Sequence, residues 1–278
     1  MSERISGTEL LSELSDSVKN KFIGFFLNYQ PLISAETYEI CGAEALTRYN
    51  SKDGVKVFPD EFIPLLEQSY LIEEVGLWVL EQALLQCSLW RRKIATFKVS
   101  VNFSAVQFRN ADIVQNIFRV LEETNMPGDA LVIEVTESMQ VEDMDRLARI
   151  ISELKARDIQ IAIDDFGTGY SDIRYLKQLD IDEVKIDRTF VRDICEGSDA
   201  YTLIAETTKF AKEHNIDVCF EGVETAEELA VIKKLNPNRL QGYLFDRPAD
   251  AEYITKAYMQ EDSEEYKKRE RFIQTLLK

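Results

Sequence analysis

The stretch Ile159–Phe166, IQIAIDDF, is a short run of apolar and small residues that ends in two adjacent aspartates and turns at Gly167 and Gly169. β-branched residues bounded by glycine read as a strand, and its end is occupied by charge. Seven other runs share this character: FFLNYQPL from Phe25, EALTRY from Glu44, FKVSVNFS from Phe97, ALVIEVTE from Ala130, DEVKID from Asp182, DVCFEGVE from Asp217 and RLQGYLF from Arg239. Between them lie amphipathic segments such as MDRLARIISELKARD from Met144 and DAYTLIAETTKFAKEH from Asp199, with apolar residues at helical spacing. Strands alternating with longer helices predict an α/β fold with a mostly parallel sheet, and eight of them predict a closed (β/α)8 TIM-like barrel.

The composition agrees with one large domain. The chain has 278 residues, 45% hydrophobic and 30% charged, enough for a single sizeable core. Its net charge of -17 opposes attraction to duplex nucleic acid or an anionic membrane. No apolar run reaches membrane-spanning length, and the start, MSERISGTELLSEL, lacks the basic and apolar regions of a signal peptide, so the expected location is cytoplasmic. Cys41, Cys87, Cys195 and Cys219 are scattered, and the single histidine, His214, completes no zinc site with them. Buried free thiols are the expectation.

Several strands deliver a polar side chain near their C-terminal end: Asn102, Glu134, Asp164 with Asp165, Lys185, Glu221 and Gln241. In a β/α barrel such positions converge on one rim, where active sites form. Crowded carboxylates repel, so a cluster of this kind shares protons or holds cations. Oxygen ligands without Cys or His suit Mg²⁺ or Mn²⁺, and two such ions suit attack on a phosphodiester. Paired carboxylates in a barrel also suit a glycosidase. The only tryptophans, Trp78 and Trp90, weigh against it, because they fall in or beside the helical stretch LIEEVGLWVLEQALLQCSLW, where Trp78 reads as core packing.

An ordered set of motifs runs along the chain: YQP from Tyr29, Glu44-Ala45-Leu46 followed by Arg48, SVNFS from Ser100, EVTE from Glu134, DDFGTGYS from Asp164, KID from Lys185, EGVET from Glu221 and QGYLFDRP from Gln241. The set resembles the EAL domain family of cyclic di-GMP phosphodiesterases and covers approximately Lys21 to Tyr258. The resemblance implies a barrel whose first strand is antiparallel to the rest, a helical lead-in over 1–20, the barrel over 21–258 and a charged helix or tail over 259–278.

The resemblance further implies that Glu44, Asn102, Glu134 and Asp164 hold one metal, and that Asp164 and Asp165 hold the second with Glu221 and Gln241 beside them. Lys185 would orient the attacking water, with Glu221 and Glu44 sharing the catalytic centre. Leu46, Arg48, Asp187, Gln241 and, near a guanine, Gln30 would bind substrate. Glu137 and Glu224 would anchor the loop after the aspartates, which lies near a dimer contact in the family. The expected partners are cyclic di-GMP, hydrolysed to pGpG, and a second copy of the chain.

The chain departs from the family pattern at Thr47 and Tyr49 around Arg48, at Asp172 in the loop, and at Asn236-Pro237-Asn238 before Gln241. None removes a matched ligand. His214 reads as a helix-end residue, and Glu61 and Glu67 as caps or ion-pair partners in an amphipathic helix.

Overall fold

The computed structural model describes residues 6–136, 144–167, 179–192 and 194–276. In chain order its strands are β1 (Phe25–Ser34), β2 (Ile40–Asn50), β3 (Lys56–Val57), β4 (Lys98–Phe103), β5 (Leu131–Thr136), β6 (Gln160–Phe166), β7 (Glu183–Ile186), β8 (Asp217–Phe220) and β9 (Arg239–Leu240). All but β3 close a barrel of eight in the order β1, β2, β4, β5, β6, β7, β8, β9 and back to β1; the two-residue β3 pairs on the outside of β2. Only β1 runs against both of its neighbours, as expected. The turn between Ser34 and Ile40 is too short for the helical crossover that parallel neighbours require, so the chain must reverse there.

The parallel strands are short and almost wholly buried, because one face meets the barrel interior and the other meets helices. In β5 every residue from Leu131 to Val135 is buried, and in β7 all four are. The charged members of those runs are Glu134, Glu183 and Lys185; Glu183 pairs with Arg239, and Glu134 and Lys185 are both 1% exposed. A charge at such depth needs partners.

The surrounding helices follow the apolar spacing. In α4 (Ile113–Glu123) the buried residues are Ile113, Val114, Ile117, Val120 and Leu121, one stripe along a helix. The helical patterns from Met144 and Asp199 appear as helices Met144–Lys155 and Asp199–Glu213. His214 caps the latter, its ring stacked on Phe210. Ahead of the barrel, α1 (Gly7–Lys19) starts at Ser6, whose hydroxyl accepts from the Glu9 amide, and buries Leu10, Leu14 and Val18. At the other end, the helix Glu264–Leu276 buries Ile273 and packs on the helix Ala251–Met259.

Three expectations need correction. The runs from Asp217 and Arg239 read as strands through Glu224 and Phe245, yet strand pairing stops at Phe220 and Leu240. Beyond those points the two segments bond to each other: the Val223 amide donates to Gln241 O, and the Leu244 amide to Val223 O. The approach is so close that a Cβ on Gly242 would lie 2.1 Å from Val223 O. Cys195 is exposed and Cys41 half-buried, so the buried-thiol reading holds only for Cys87 and Cys219. The strand β3 carried no expectation.

Both tryptophans belong to α3 (Ile72–Arg91) and face structure rather than an open surface. Trp78 stacks on Phe22 with ring centroids 5.3 Å apart. Trp90 meets Tyr29 of β1 edge-on at 4.9 Å and Phe97 at 5.1 Å, and its Nε1 donates to Thr255 Oγ1 at 2.9 Å. One ring thus joins α3, β1, the start of β4 and the helix Ala251–Met259. Trp90→Ala is expected to cost about 3–5 kcal/mol, the scale for emptying a buried aromatic site, read as a lowered denaturant midpoint in equilibrium unfolding.

Candidate active site

The expected cluster assembles at the C-terminal ends of the parallel strands, around Lys185. Its ammonium lies 2.6 Å from Glu221 Oε1, 2.7 Å from Glu134 Oε2 and 3.4 Å from both Glu44 Oε2 and Asp164 Oδ1. β7 supplies the lysine, β5 Glu134, β6 Asp164 and β2 Glu44, while Glu221 follows β8 directly. Two amides complete the ring around Glu44: Asn102 Nδ2 donates to Oε1 and Gln241 Nε2 to Oε2, each at 2.7 Å. The structure therefore brings together eight of the expected residues, counting Asp165 beside Asp164 and Glu221.

Asp165 owes its place to a break in the strand. Successive side chains of a regular strand point to opposite faces, so adjacent aspartates would diverge. Here the β6–β7 register shifts between Ile163 and Phe166, and Asp165 adopts a left-handed φ of 54°. Carboxylate oxygens of Asp164, Asp165 and Glu221 consequently all lie within 4.8 Å of one another. Asp and Asn tolerate this backbone region better than other side chains, so the second aspartate suits the bulge as well as the charge. Gly167 follows with φ 105°, where a Cβ would meet the Phe190 ring at 2.3 Å.

Burial and crowding set the electrostatics. Burial pushes Glu134 well above the usual carboxylate range and Glu221 up to about 8, against the pull of Lys185. Asp165 rises to about 6 through burial and the neighbouring Asp164. Burial opposes ionisation of Glu44 too, but Lys185, Gln241 and Asn102 together hold it below its ordinary value. Burial disfavours the Lys185 charge, and the carboxylates around it reverse that, led by Asp164.

Five carboxylates, Glu44, Glu134, Asp164, Asp165 and Glu221, face one ammonium, so full ionisation leaves an excess of four negative charges (five minus one). Gln241 Oε1 is buried and accepts no hydrogen bond, and buried Asp164 Oδ1 has the Lys185 ion pair at 3.4 Å but accepts no hydrogen bond either. Uncompensated charge, buried acceptors without hydrogen bonds and an all-oxygen donor set fit hard divalent cations.

Beside the cluster opens a cleft of about 460 Å³ whose lining includes Leu46, Arg48, Asn102 and Arg109, with Phe62 and Val79 on its apolar wall. Arg48 Nη1 donates to Thr47 O at 2.9 Å. Gln30 stands opposite Glu44 across β1–β2, which puts both side chains on one face of the pair, and its Nε2 is 3.5 Å from Asp246 O. Asp187 has a local partner: its Oδ1 accepts from the Thr189 amide and hydroxyl, capping the turn Arg188–Val191. Glu224 is exposed, with its amide bonded to Glu228. Glu137, Gly169 and Asp172 lie outside the described residues.

Two features of the cleft escaped the sequence reading. Arg109 lines it from the short turn after β4. Gly76, within α3, is packed so tightly that a Cβ would lie 2.1 Å from Gln107 Nε2. A glycine inside a helix costs propensity, and that was the available signal of a close approach. Tyr49 and Asn238, which depart from the family pattern, have structural work: Tyr49 packs on Phe25 and Phe62, and Asn238 Oδ1 accepts from the Val218 amide.

Residues 11–248 match the EAL domain family. The chain belongs to that family. Among its relatives is the bifunctional diguanylate cyclase/cyclic di-GMP phosphodiesterase MucR of Pseudomonas aeruginosa, 35% identical over 247 residues, covering 88% of this chain and 36% of MucR. The cyclic di-GMP phosphodiesterase PdeR of Escherichia coli is 34% identical over 232 residues, covering 84% of this chain and 35% of PdeR. The chain thus spans about a third of the length of these two relatives. A solved complex of the MucR phosphodiesterase with c-di-GMP superposes with a TM-score of 0.82 at 35% identity, covering 88% of this chain and 99% of that one. Among the described residues of this EAL domain, no helix is long and apolar enough to cross a membrane.

The left-handed backbone at Asp165 can be tested apart from the charge. Asp165→Gly is expected to fold with near-native stability, whereas Asp165→Val should lose about 1–2 kcal/mol relative to it, measured by denaturant unfolding of both variants in EDTA. Equal stability of the two would show that no left-handed constraint operates there.

Proposed function

We propose that this domain is a metal-dependent phosphodiesterase that opens one phosphodiester of cyclic di-GMP to give linear pGpG. The observation that carries the reading is the ring of carboxylates around Lys185, joined through Asn102 to an arginine-bearing cleft. The relatives named for the same activity and the c-di-GMP complex of MucR support it.

In this reading Glu44, Asn102, Glu134 and Asp164 hold one Mg²⁺ or Mn²⁺, and Asp164 and Asp165 the other, with Glu221 and Gln241 adjoining. When bound, the ions activate water and offset charge on the phosphoryl oxygens. The protein's own groups do the rest. Lys185, fixed by Glu134 and Glu221, points a donor at the water and keeps the carboxylates from separating. In its ionised form Glu221 accepts the proton that the water loses. Arg48 offers planar donors to a substrate phosphate, and the apolar wall of the cleft excludes solvent from the reacting centre. Leu46, Asp187 and Gln30 form the remaining substrate contacts, and the working unit is a cytoplasmic homodimer.

The deciding experiment incubates purified protein with cyclic di-GMP and Mg²⁺ or Mn²⁺, beside an EDTA control, and separates the nucleotides by chromatography. Metal-dependent pGpG is expected; binding without cleavage would replace the enzyme reading with a receptor. Glu44→Ala and Asp164→Asn should each lower turnover by about 100-fold or more, the scale for losing a group that acts in the transition state, while circular dichroism shows an intact barrel. Arg48→Ala should instead raise KM by about 10-fold or more, as expected for a lost charged hydrogen bond, with a smaller change in kcat.

A further inference from the structure

The family match ends at residue 248, yet two helices lie beyond it: Ala251–Met259, which bonds back to the chain after β9, and Glu264–Leu276, which packs on it. Asp246 is where they take hold. Its Oδ2 accepts from the Tyr258 hydroxyl at 3.0 Å and its Oδ1 from the Tyr253 hydroxyl at 2.9 Å, so both carboxylate oxygens are held from one helix. The last helix adds a second layer: the Arg269 guanidinium lies 4.4 Å from the centre of the Tyr258 ring, and its Nη2 donates to Tyr38 O in the β1–β2 turn. Arg269 is also held by Glu270 at 3.1 Å, and its side chain is only 10% exposed.

From Asp246 the connection runs inward. The Asp246 amide donates to Gly242 O at 3.2 Å, closing a turn that begins beside Gln241. Gln241 in turn donates to Glu44 at 2.7 Å, while Asp246 O lies 3.5 Å from Gln30 Nε2. The turn has few other holds on the barrel. β9 contributes only Arg239 and Leu240 to the sheet, and the chain beyond them is fixed by the Gln241 amide's bond to Phe220 O, by the loop bonds to Val223 and by the Tyr29–Ala249 bridge.

We infer that the two C-terminal helices clamp the Gln241–Asp246 turn, Tyr258 directly and Arg269 through the Tyr258 ring, making both positioning residues for the amide that holds Glu44 and for Gln30. Neither touches the reacting atoms. The inference builds on the proposed phosphodiesterase reading. A local loosening of the turn displaces Gln241 and Gln30 together, and substrate binding suffers before protein stability does.

The test uses the full chain with Tyr258→Phe, which removes only the hydroxyl, and Arg269→Ala, which removes the outer layer. Hydrogen exchange is expected to quicken at the Phe245 and Asp246 amides in both variants while the β5 and β7 amides keep their protection. KM for cyclic di-GMP should rise roughly 2- to 10-fold, as for one lost hydrogen bond, with kcat within about twofold. Unchanged exchange at Phe245 and Asp246 would overturn the clamp, and so would faster exchange with an unaltered KM. Absence of hydrolysis in the unsubstituted protein would overturn the phosphodiesterase reading instead, and the exchange result would still decide the clamp.

Discussion

A single buried ammonium governs what can be built at the top of this barrel. Lys185 stands on β7 with carboxylates arriving from β2, β5, β6 and the end of β8, and none of these groups is tolerable at that depth alone. Removing one partner would leave the others uncompensated, so the positions of five strands are tied to one nitrogen. The same arrangement leaves more negative charge than the lysine neutralises, which makes the site receptive to cations. Structural necessity and chemistry therefore converge on the same atoms.

Much of this was legible because barrel geometry turns position along a strand into position in space. Asn102, Glu134, Asp164 and Lys185 were found as polar residues near the ends of apolar runs, and parallel pairing carries them to one rim. Glu221 and Gln241 were found in the same way although they lie just beyond their strands, since a residue following a strand still faces the rim. The extent of β8 and β9 was overestimated because strand-like composition continues through Val223-Glu224 and YLF, whereas the mutual packing of the two loops at Gly242 is a tertiary fact.

The adjacent aspartates show where sequence reading runs short. Their charge pointed to a cation site, but their side-by-side placement conflicts with strand alternation, and only the register shift and left-handed Asp165 resolve the conflict. Arg109 was missed because an arginine in a short turn after a strand looks like any solvated charge. Its place in the cleft depends on how α2 (Pro59–Gln68) and α3 stand against β4. Asp187 was found by motif, and its bonds to Thr189 reveal a capping duty that the motif alone does not contain.

The antiparallel first strand bears on how the chain becomes a barrel at all. Its long hairpin with β2 forms from residues close in sequence, but its other edge meets β9 through only Ile33↔Leu240 and Ser34↔Arg239. Closure thus joins segments some two hundred residues apart through two residue pairs, no more than β8 and β9 share, and long-range closure of that kind carries a high entropic cost in folding. β9 is thus held by two residue pairs on each side, and this thinly held strand leads directly into Gln241.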